Sequence, residues 1–380
     1  MSRFPAPLQS QLLGGLSSRT FLARHWQKKP LLIRQALPEV TGLLSRQELF
    51  ALACDEDVES RLVARQGKGW TLDRGPFRMR ELKRRRPLPW TVLVQGVNLF
   101  VPIADQLLRR FSFIPYARLD DLMVSYATGG GGVGPHFDSY DVFLLQGMGR
   151  RRWRVGRQRD LTLIEGAPLS ILRNFRPTQE LLLEPGDMLY LPPQYAHEGT
   201  AEGECMTYSI GFRAPSAQEL IIEFLAFLQE RLNAKGRFHD PDLALQAHPA
   251  AISDEMIDCA VRMIGQLKWN RAAVSEFLGC FLTELKPQVY FSPPVRPQSL
   301  VRFRARCRRT GISLDAKTQL LFRRSNFFLN GEALVVPVAD RAMLRRLADD
   351  RCLDELNGLS GPMIDLLYRW YRCGYLTPSR

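Results

Sequence analysis

The chain has 380 residues, more than one hydrophobic core normally organises, so roughly two to three domains of ordinary size are expected and a short peptide module is excluded. It is 45% hydrophobic and 24% charged, a balance that excludes disorder throughout. Its 52 Lys+Arg against 39 Asp+Glu give a net charge of +13, which raises nucleic acid or an anionic membrane as a partner.

No stretch reaches about 18 consecutive apolar residues, and the N-terminal residues lack a basic segment followed by a sustained apolar core. A cytoplasmic protein with no membrane partner is expected. The seven cysteines (Cys54, Cys205, Cys259, Cys280, Cys307, Cys352 and Cys373) are widely spaced and never form a CxxC pair, so they read as reduced core thiols.

The first 88 residues mix short helical patterns with polar turns. Residues 18–26 begin with a serine N-cap and space Phe21, Leu22 and Trp26 on one helix face. The basic run KRRRP at 83–87 reads as an exposed loop, with phosphate contact as the alternative. From about 90 to 215 the texture changes to short apolar segments separated by Gly and Pro: TVLVQGV, DLMVSYA, DVFLLQ, RRWRV, MLYLP and MTYSIGF. Short strands at this spacing indicate a sandwich or barrel.

Residues 216–232 read as a helix, with Ser216 and Glu219 as its capping pair and Leu220, Ile221, Phe224 and Leu225 on a broad apolar face. A second helical stretch covers 253–285. These faces can pack on each other or on a second subunit. SPPVRP at 292–297 reads as a linker. From 296 onward the chain carries 16 Lys+Arg and 8 Asp+Glu, a net of +8. There β-like pieces (LLFRRSNFFLN, ALVVPV) alternate with helices around 342–348 and 362–373, a mixture that fits a small winged-helix-like unit.

The chemistry concentrates in the β-rich part. His136 and Asp138 are two apart, so on a strand both side chains leave the same face and can meet one ion. In EPGDMLYLPPQYAHEG, Pro185-Gly186-Asp187 makes a tight turn, 188–191 a strand, and His197 lies beyond a Pro-Pro corner. Two imidazoles and one carboxylate suit a ferrous ion and leave positions open for a bidentate cosubstrate and dioxygen. Of the five histidines, the other three (His25, His239 and His248) read as surface or capping residues.

DVFLLQ, GMG and RRRWRV read as a hairpin. Alternation along its second strand puts Arg151, Trp153 and Val155 on one face and Arg150, Arg152 and Arg154 on the other. An Arg151 buried among apolar groups needs an anionic partner. That partner is a small carboxylate ligand, held bidentately, or an internal ion pair with Glu184 or Asp141. The outward arginines read as a solvated face, with nucleic-acid contact as the minor option.

The HxD pair, the arginine thirteen residues after the aspartate and the distal PGD-to-His element together resemble the JmjC-type 2-oxoglutarate-dependent oxygenases, which are built on a double-stranded β-helix. FLARHWQKKPLLIR, ESRLVAR, DDLMVSYATGGGGVGPHFDSYDVFLLQGMGRRRWRVG and YSIGFRAPS are similar to the bacterial ribosomal oxygenases, in which a JmjC domain is followed by a helical dimerisation region and a winged helix.

The resemblance implies an α+β fold with a mainly β core. Residues 1–215 would form the oxygenase domain, with its JmjC core at about 90–215. Residues 216–291 would form a helical region that makes a homodimer, and 296–380 a winged-helix-like domain. It further implies His136, Asp138 and His197 as Fe(II) ligands, Arg151 and Ser125 as contacts to 2-oxoglutarate, and dioxygen as oxidant. The implied activity is hydroxylation at C3 of an arginine side chain in the sixteenth large-subunit ribosomal protein. Asp120, Asp121, Asp141, Tyr126, Tyr140 and Ser209 are the candidates to receive that arginine. Ribosomal RNA is a candidate partner of the basic C-terminal region. Two rivals are a JmjC enzyme acting on another protein, as hydroxylase or demethylase, and a cupin-cored nucleic-acid-binding regulator.

Overall fold

Strand pairing organises the first half of the chain. The structure, a computed structural model, describes residues 9–379 apart from 68, 84–87, 242 and 357, so positions 84–87 of the basic run lie outside the described residues. Helices α1 (Gln9–Leu12), α2 (Ser18–Arg24), α3 (Arg46–Ala53), α4 (Met79–Lys83) and α5 (Pro102–Arg109) accompany nine strands. These are β1 (Leu31–Ile33), β2 (Ser60–Gln66), β3 (Gly69–Arg74), β4 (Trp90–Val94), β5 (Leu119–Ala127), β6 (Val142–Arg157), β7 (Gln179–Leu183), β8 (Met188–Leu191) and β9 (Tyr195–Phe212). They pair antiparallel in the order β1-β8-β6-β9-β5-β4-β2-β3, with β7 added on β6. This is the mainly β core expected, and it begins earlier than expected: β1, β2 and β3 fall in the part read as helices and turns. Arginines flanking the short Leu62-Val63 pair hide the period of β2.

The sheet has two unlike faces. Leu122, Val124 and Tyr126 of β5 and Tyr208, Ile210 and Phe212 of β9 face the main apolar core, while Met123, Ser125, Thr207, Ser209 and Gly211 line a cavity. Alternation along extended backbone produces this division. The core side is covered from the N-terminal region, where Phe21 of α2 meets the Tyr190 ring at 4.9 Å. Helix α2 is capped by Ser17, whose Oγ accepts from the Thr20 N–H, and it ends at Arg24. Only Phe21 of the three expected apolar residues is buried on the helix. Leu22 is exposed, and Trp26 packs from beyond the helix end against Phe212.

The expected GMG hairpin is absent. Instead β6 is one strand of 16 residues whose two halves both pair with β9, from Val142 opposite Gly211 to Arg157 opposite Tyr195. The register shifts between Gln146 and Met148 and again between Met148 and Arg150. One extra residue in β6 exchanges its faces, so Val142 and Leu144 line the cavity before the bulge and Arg151 and Trp153 after it. Glycine is needed here: a Cβ on Gly147 would lie 2.1 Å from the Tyr208 ring.

Helix α6 (Ala217–Gln229) starts with the expected Ser216–Glu219 capping box. The second helical stretch is two helices, α7 (Asp254–Ile264) and α8 (Arg271–Thr283). The break falls where Asn270 restarts the helix by accepting from the Ala272 and Ala273 N–H groups. Beyond it, α9 (Leu300–Thr310), α10 (Arg341–Asp350) and α11 (Gly361–Cys373) enclose a separate core that includes Phe303, Leu344, Leu367 and Trp370. With them, β10 (Ile312–Leu314) pairs β14 (Cys352–Leu353) and β15 (Leu376–Pro378). β11 (Leu320–Arg323), β12 (Asn326–Leu329) and β13 (Glu332–Leu334) form a third sheet.

This is the expected winged-helix mixture with two changes. Helix α9 was not anticipated, because its arginines mask the single buried stripe of Phe303 and Cys307. In ALVVPV, only Ala333 and Leu334 lie in a strand. The cysteines are free, as expected, yet Cys352 and Cys373 are exposed, so they are not core thiols. Among the described residues no helix is long and apolar enough to cross a membrane.

Candidate active site

His136, Asp138 and His197 each offer a ligand atom, and those atoms lie within 4.8 Å of one another. His197 is carried by β9. His136 and Asp138 do not lie on a regular strand as expected: His136 forms an isolated antiparallel bridge with His197, and Asp138 follows in the loop. Reciprocal backbone bonds of 3.0 and 2.8 Å close that bridge, and the Gln194 N–H donates to the Asp138 carbonyl at 3.1 Å. The two halves of the site are therefore joined through backbone, and the Pro-Pro corner presents Gln194 for this purpose.

Each imidazole is oriented by a carbonyl. His136 Nδ1 lies 3.0 Å from the Gly134 oxygen and His197 Nδ1 2.9 Å from the Tyr195 oxygen. A carbonyl only accepts, so Nδ1 carries the proton and Nε2 presents a lone pair. Both Nε2 atoms turn towards Asp138, at 4.0 Å for His136 and 3.6 Å for His197. Burial, then the neighbouring His136, pushes the His197 imidazole down to about 4, so it is neutral at pH 7. Two imidazole nitrogen donors and a carboxylate, without thiolates, fit a ferrous ion.

The PGD turn supports this site from behind. Asp187 Oδ1 accepts from the Gln35 N–H at 2.9 Å, and Oδ2 accepts from the Glu184 N–H at 3.1 Å and from Arg34 Nη1 at 2.6 Å. Burial alone would raise this carboxyl, but those donors outweigh it and hold it below the ordinary aspartate value. Asp187 thereby ties the edge strand β1 to the turn that feeds β8 and then His197.

Arg151 is 3% exposed and faces the same cavity. Its Nη1 donates to Ser125 Oγ at 3.1 Å and Thr207 Oγ1 at 3.3 Å, and Nη2 to the Gly199 carbonyl at 3.2 Å. Its Nε has no partner among the described residues. Burial lowers its pKa, which is the mark of a cation without a counter-ion. The internal ion pair allowed by the sequence is not formed. Asp141 instead accepts from the Tyr190 hydroxyl at 2.6 Å and Gln27 Nε2 at 2.9 Å, and Glu184 contributes its backbone to Asp187. A buried guanidinium flanked by two hydroxyls fits a small carboxylate, and 2-oxoglutarate has one to spare after chelating a metal.

The cavity has a volume of about 470 Å³. Of the residues expected to meet a substrate arginine, Asp120, Asp121, Tyr140 and Ser209 line it. Asp141 does not, and Tyr126 lies on the opposite sheet face against Phe50, with its hydroxyl turned to Arg46. Sequence reasoning missed Thr207 and Gly199. Thr207 shares a face with Ser209, so alternation in MTYSIGF carried that signal; nothing in the sequence marks Gly199.

The outward arginines of β6 are ion-paired rather than free. Arg152 meets Glu180 and Glu202, Arg154 meets Glu198, and Arg150 lies 3.6 Å from Glu202. A larger cleft, about 690 Å³, lies between α8, β11 and residues 112–117, away from the titratable cluster.

The JmjC domain family matches residues 106–220, and the ROXA-like winged-helix family matches 266–377. The chain is 38% identical over 280 residues to the ribosomal protein uL16 3-hydroxylase of Escherichia coli strain K12, covering 73% of this chain and 74% of that protein. A probable ribosomal oxygenase of Haemophilus influenzae is 35% identical over 367 residues, covering 89% of this chain and 87% of its own. A solved structure of YcfD, a ribosomal oxygenase from Escherichia coli in complex with cobalt and 2-oxoglutarate, aligns with a TM-score of 0.81 at 33% identity, covering 95% of this chain and 98% of that one. The rolled sheet and its cavity are thus those of a JmjC protein of the cupin type. Given relatives of this identity over most of its length, the chain belongs to the ribosomal oxygenases.

Proposed function

We propose that this protein is an Fe(II)- and 2-oxoglutarate-dependent oxygenase that hydroxylates C3 of an arginine side chain in uL16, the sixteenth protein of the large ribosomal subunit. The observation that carries the reading is Arg151: a buried cation with no carboxylate partner among the described residues, in the cavity where His136, Asp138 and His197 converge. The name of the Escherichia coli relative supplies the target protein.

In this reading His136, Asp138 and His197 hold the iron, and Arg151 with Ser125 holds the distal carboxylate of 2-oxoglutarate. When bound, the metal and cosubstrate supply the oxidising chemistry, with dioxygen consumed and 2-oxoglutarate converted to succinate and carbon dioxide. The chain's own groups position and exclude water. Trp153 and Val142 wall the cavity beside the metal site, and the backbone bridge fixes the distance between the two histidines. Asp121 receives the guanidinium: its Oδ2 is fixed by Gln95 Nε2 at 2.7 Å and the Gly96 N–H at 3.0 Å, and Tyr140 and Ser209 share the wall. The test is succinate release in the presence of Fe(II) and 2-oxoglutarate. It should rise on addition of uL16 and vanish in His136→Ala; succinate release unchanged in that variant would contradict the reading.

The same reading divides the chain into an oxygenase domain (1–215), a helical region (216–291) and a winged-helix-like domain (296–380), acting in the cytoplasm as a homodimer. Exposed Ile221, Ile222 and Leu225 on α6 and Val261 and Ile264 on α7 support association through the helical region. Sedimentation should give a dimer that Leu225→Glu dissociates. Exposed Arg302, Arg304, Arg308 and Arg309 on α9 support contact with ribosomal RNA. Binding that is insensitive to salt would count against this contact.

A further inference from the structure

Lys286, in the segment between α8 and α9, reaches Asp120, which with Asp121 lines the substrate cavity. Its Nζ lies 2.9 Å from Asp120 Oδ1. Arg213 Nε lies 3.6 Å from the same oxygen, while Arg213 Nη1 donates to the Leu282 carbonyl at 2.7 Å and so ties the end of β9 to the end of α8. Asp120 is therefore held by two cations brought together by the C-terminal part of the chain.

Asp121, the next residue, is 4% exposed. Its Oδ2 is occupied by Gln95 and Gly96, while its Oδ1 has no hydrogen bond among the described residues. Two carboxylates on successive residues in a partly buried corner repel each other, and the pair stays ionised only if a cation neutralises one of them. Arg61 of β2 and the Tyr140 hydroxyl also line the cavity, but Arg61 is directed to Gln95 Oε1 at 3.4 Å. Lys286 and Arg213 are the cations at Asp120.

We propose that Lys286 is a positioning residue for the protein substrate: by neutralising Asp120 it keeps Asp121 as the free carboxylate that takes the target guanidinium. This rests on the arginine-hydroxylase reading above and adds to it a residue from outside the JmjC domain. Burial raises the Asp121 carboxyl, Lys286 opposes that rise, and Asp120 adds to it. Without Lys286, Asp121 holds a proton further towards neutral pH and loses its attraction for a cation. The connector between α8 and α9 thus sets affinity for the substrate and leaves affinity for 2-oxoglutarate alone.

The experiment compares Lys286→Met and Lys286→Arg with wild type in the full chain, using a uL16 peptide that contains the hydroxylated arginine. In Lys286→Met the peptide KM should rise near pH 7 with kcat changed less, because the Asp121 carboxyl loses the nearby cation that opposes its protonation. The 2-oxoglutarate Kd should be unchanged, the defect should shrink as pH rises, and Lys286→Arg should restore most of the affinity. A peptide KM in Lys286→Met that is unchanged or lower would overturn the proposal. So would a defect that is equal at every pH and not restored by arginine. Failure of the wild type to hydroxylate the peptide would instead remove the reading on which the proposal rests.

Discussion

Arg151 Nη1 lies 3.1 Å from Ser125 Oγ, on a neighbouring part of the same rolled sheet, and the guanidinium meets hydroxyls and a carbonyl where a buried cation would ordinarily meet a carboxylate. Leaving a charge in that state costs several kcal/mol, which a ligand carboxylate offsets on binding. Arg151→Met should therefore weaken 2-oxoglutarate binding roughly ten- to a hundredfold, from the loss of charge-assisted bonds worth about 1.5 to 3 kcal/mol. The ligand-free variant should unfold at the wild-type temperature or above, because the unpaired charge is gone. Titration of 2-oxoglutarate against the metal-loaded protein, with thermal melts of the ligand-free protein, checks both halves.

Gly199 gives the guanidinium its space. A Cβ there would lie 2.6 Å from Arg151 Nε and 2.8 Å from the Trp153 ring, and the ring is too stiff to give way cheaply. Gly199→Ala should lower stability by about 1 to 3 kcal/mol through overpacking. It should also weaken 2-oxoglutarate binding, although residue 199 keeps its backbone carbonyl. Affinity equal to wild type would mean that Arg151 is not placed by this contact.

Asp187 contributes to stability on the acid side. Its folded pKa is depressed, so its contribution is present above the ordinary aspartate value and is lost as pH falls through the lower folded value. Asp187→Asn should cost about 1 to 3 kcal/mol at pH 7, mostly from the buried backbone donors, since Arg34 is half exposed and its share is screened. The cost should start to fade below about pH 4, where the carboxylate of the unfolded chain begins to take up a proton, and be gone below the lower folded value. Urea melts across that range measure it.

Much of the site was legible because its residues sit in short motifs with strong local signals. HxD, the PGD turn and an arginine in phase with Trp153 each limit the side chain's direction within a few residues. The bulge at Gly147 was not legible: GMG has the composition of a turn, and it continues the strand through its pairing with β9, whose Tyr208 ring leaves no room for a Cβ at Gly147. The placing of His136 and Asp138 on a bridged loop depends on the distant 192–194 corner, which alternation cannot register. Arg152 and Arg154 lie on a solvated face as read, but their ion partners, Glu180, Glu198 and Glu202, come from β7 and β9 and leave no local signal. Tyr126 and Asp141 were credible receivers of an arginine until their faces were fixed by packing against Phe50 and Tyr190.

The most direct measurement is the intact mass and fragmentation pattern of uL16 from the protein's own host after incubation with the enzyme, Fe(II) and 2-oxoglutarate, with Asp138→Ala in parallel. The account predicts a gain of one oxygen on a single arginine with the wild type and none with the variant. No gain with the wild type, an oxygen on a different residue type, or loss of a methyl group would contradict it.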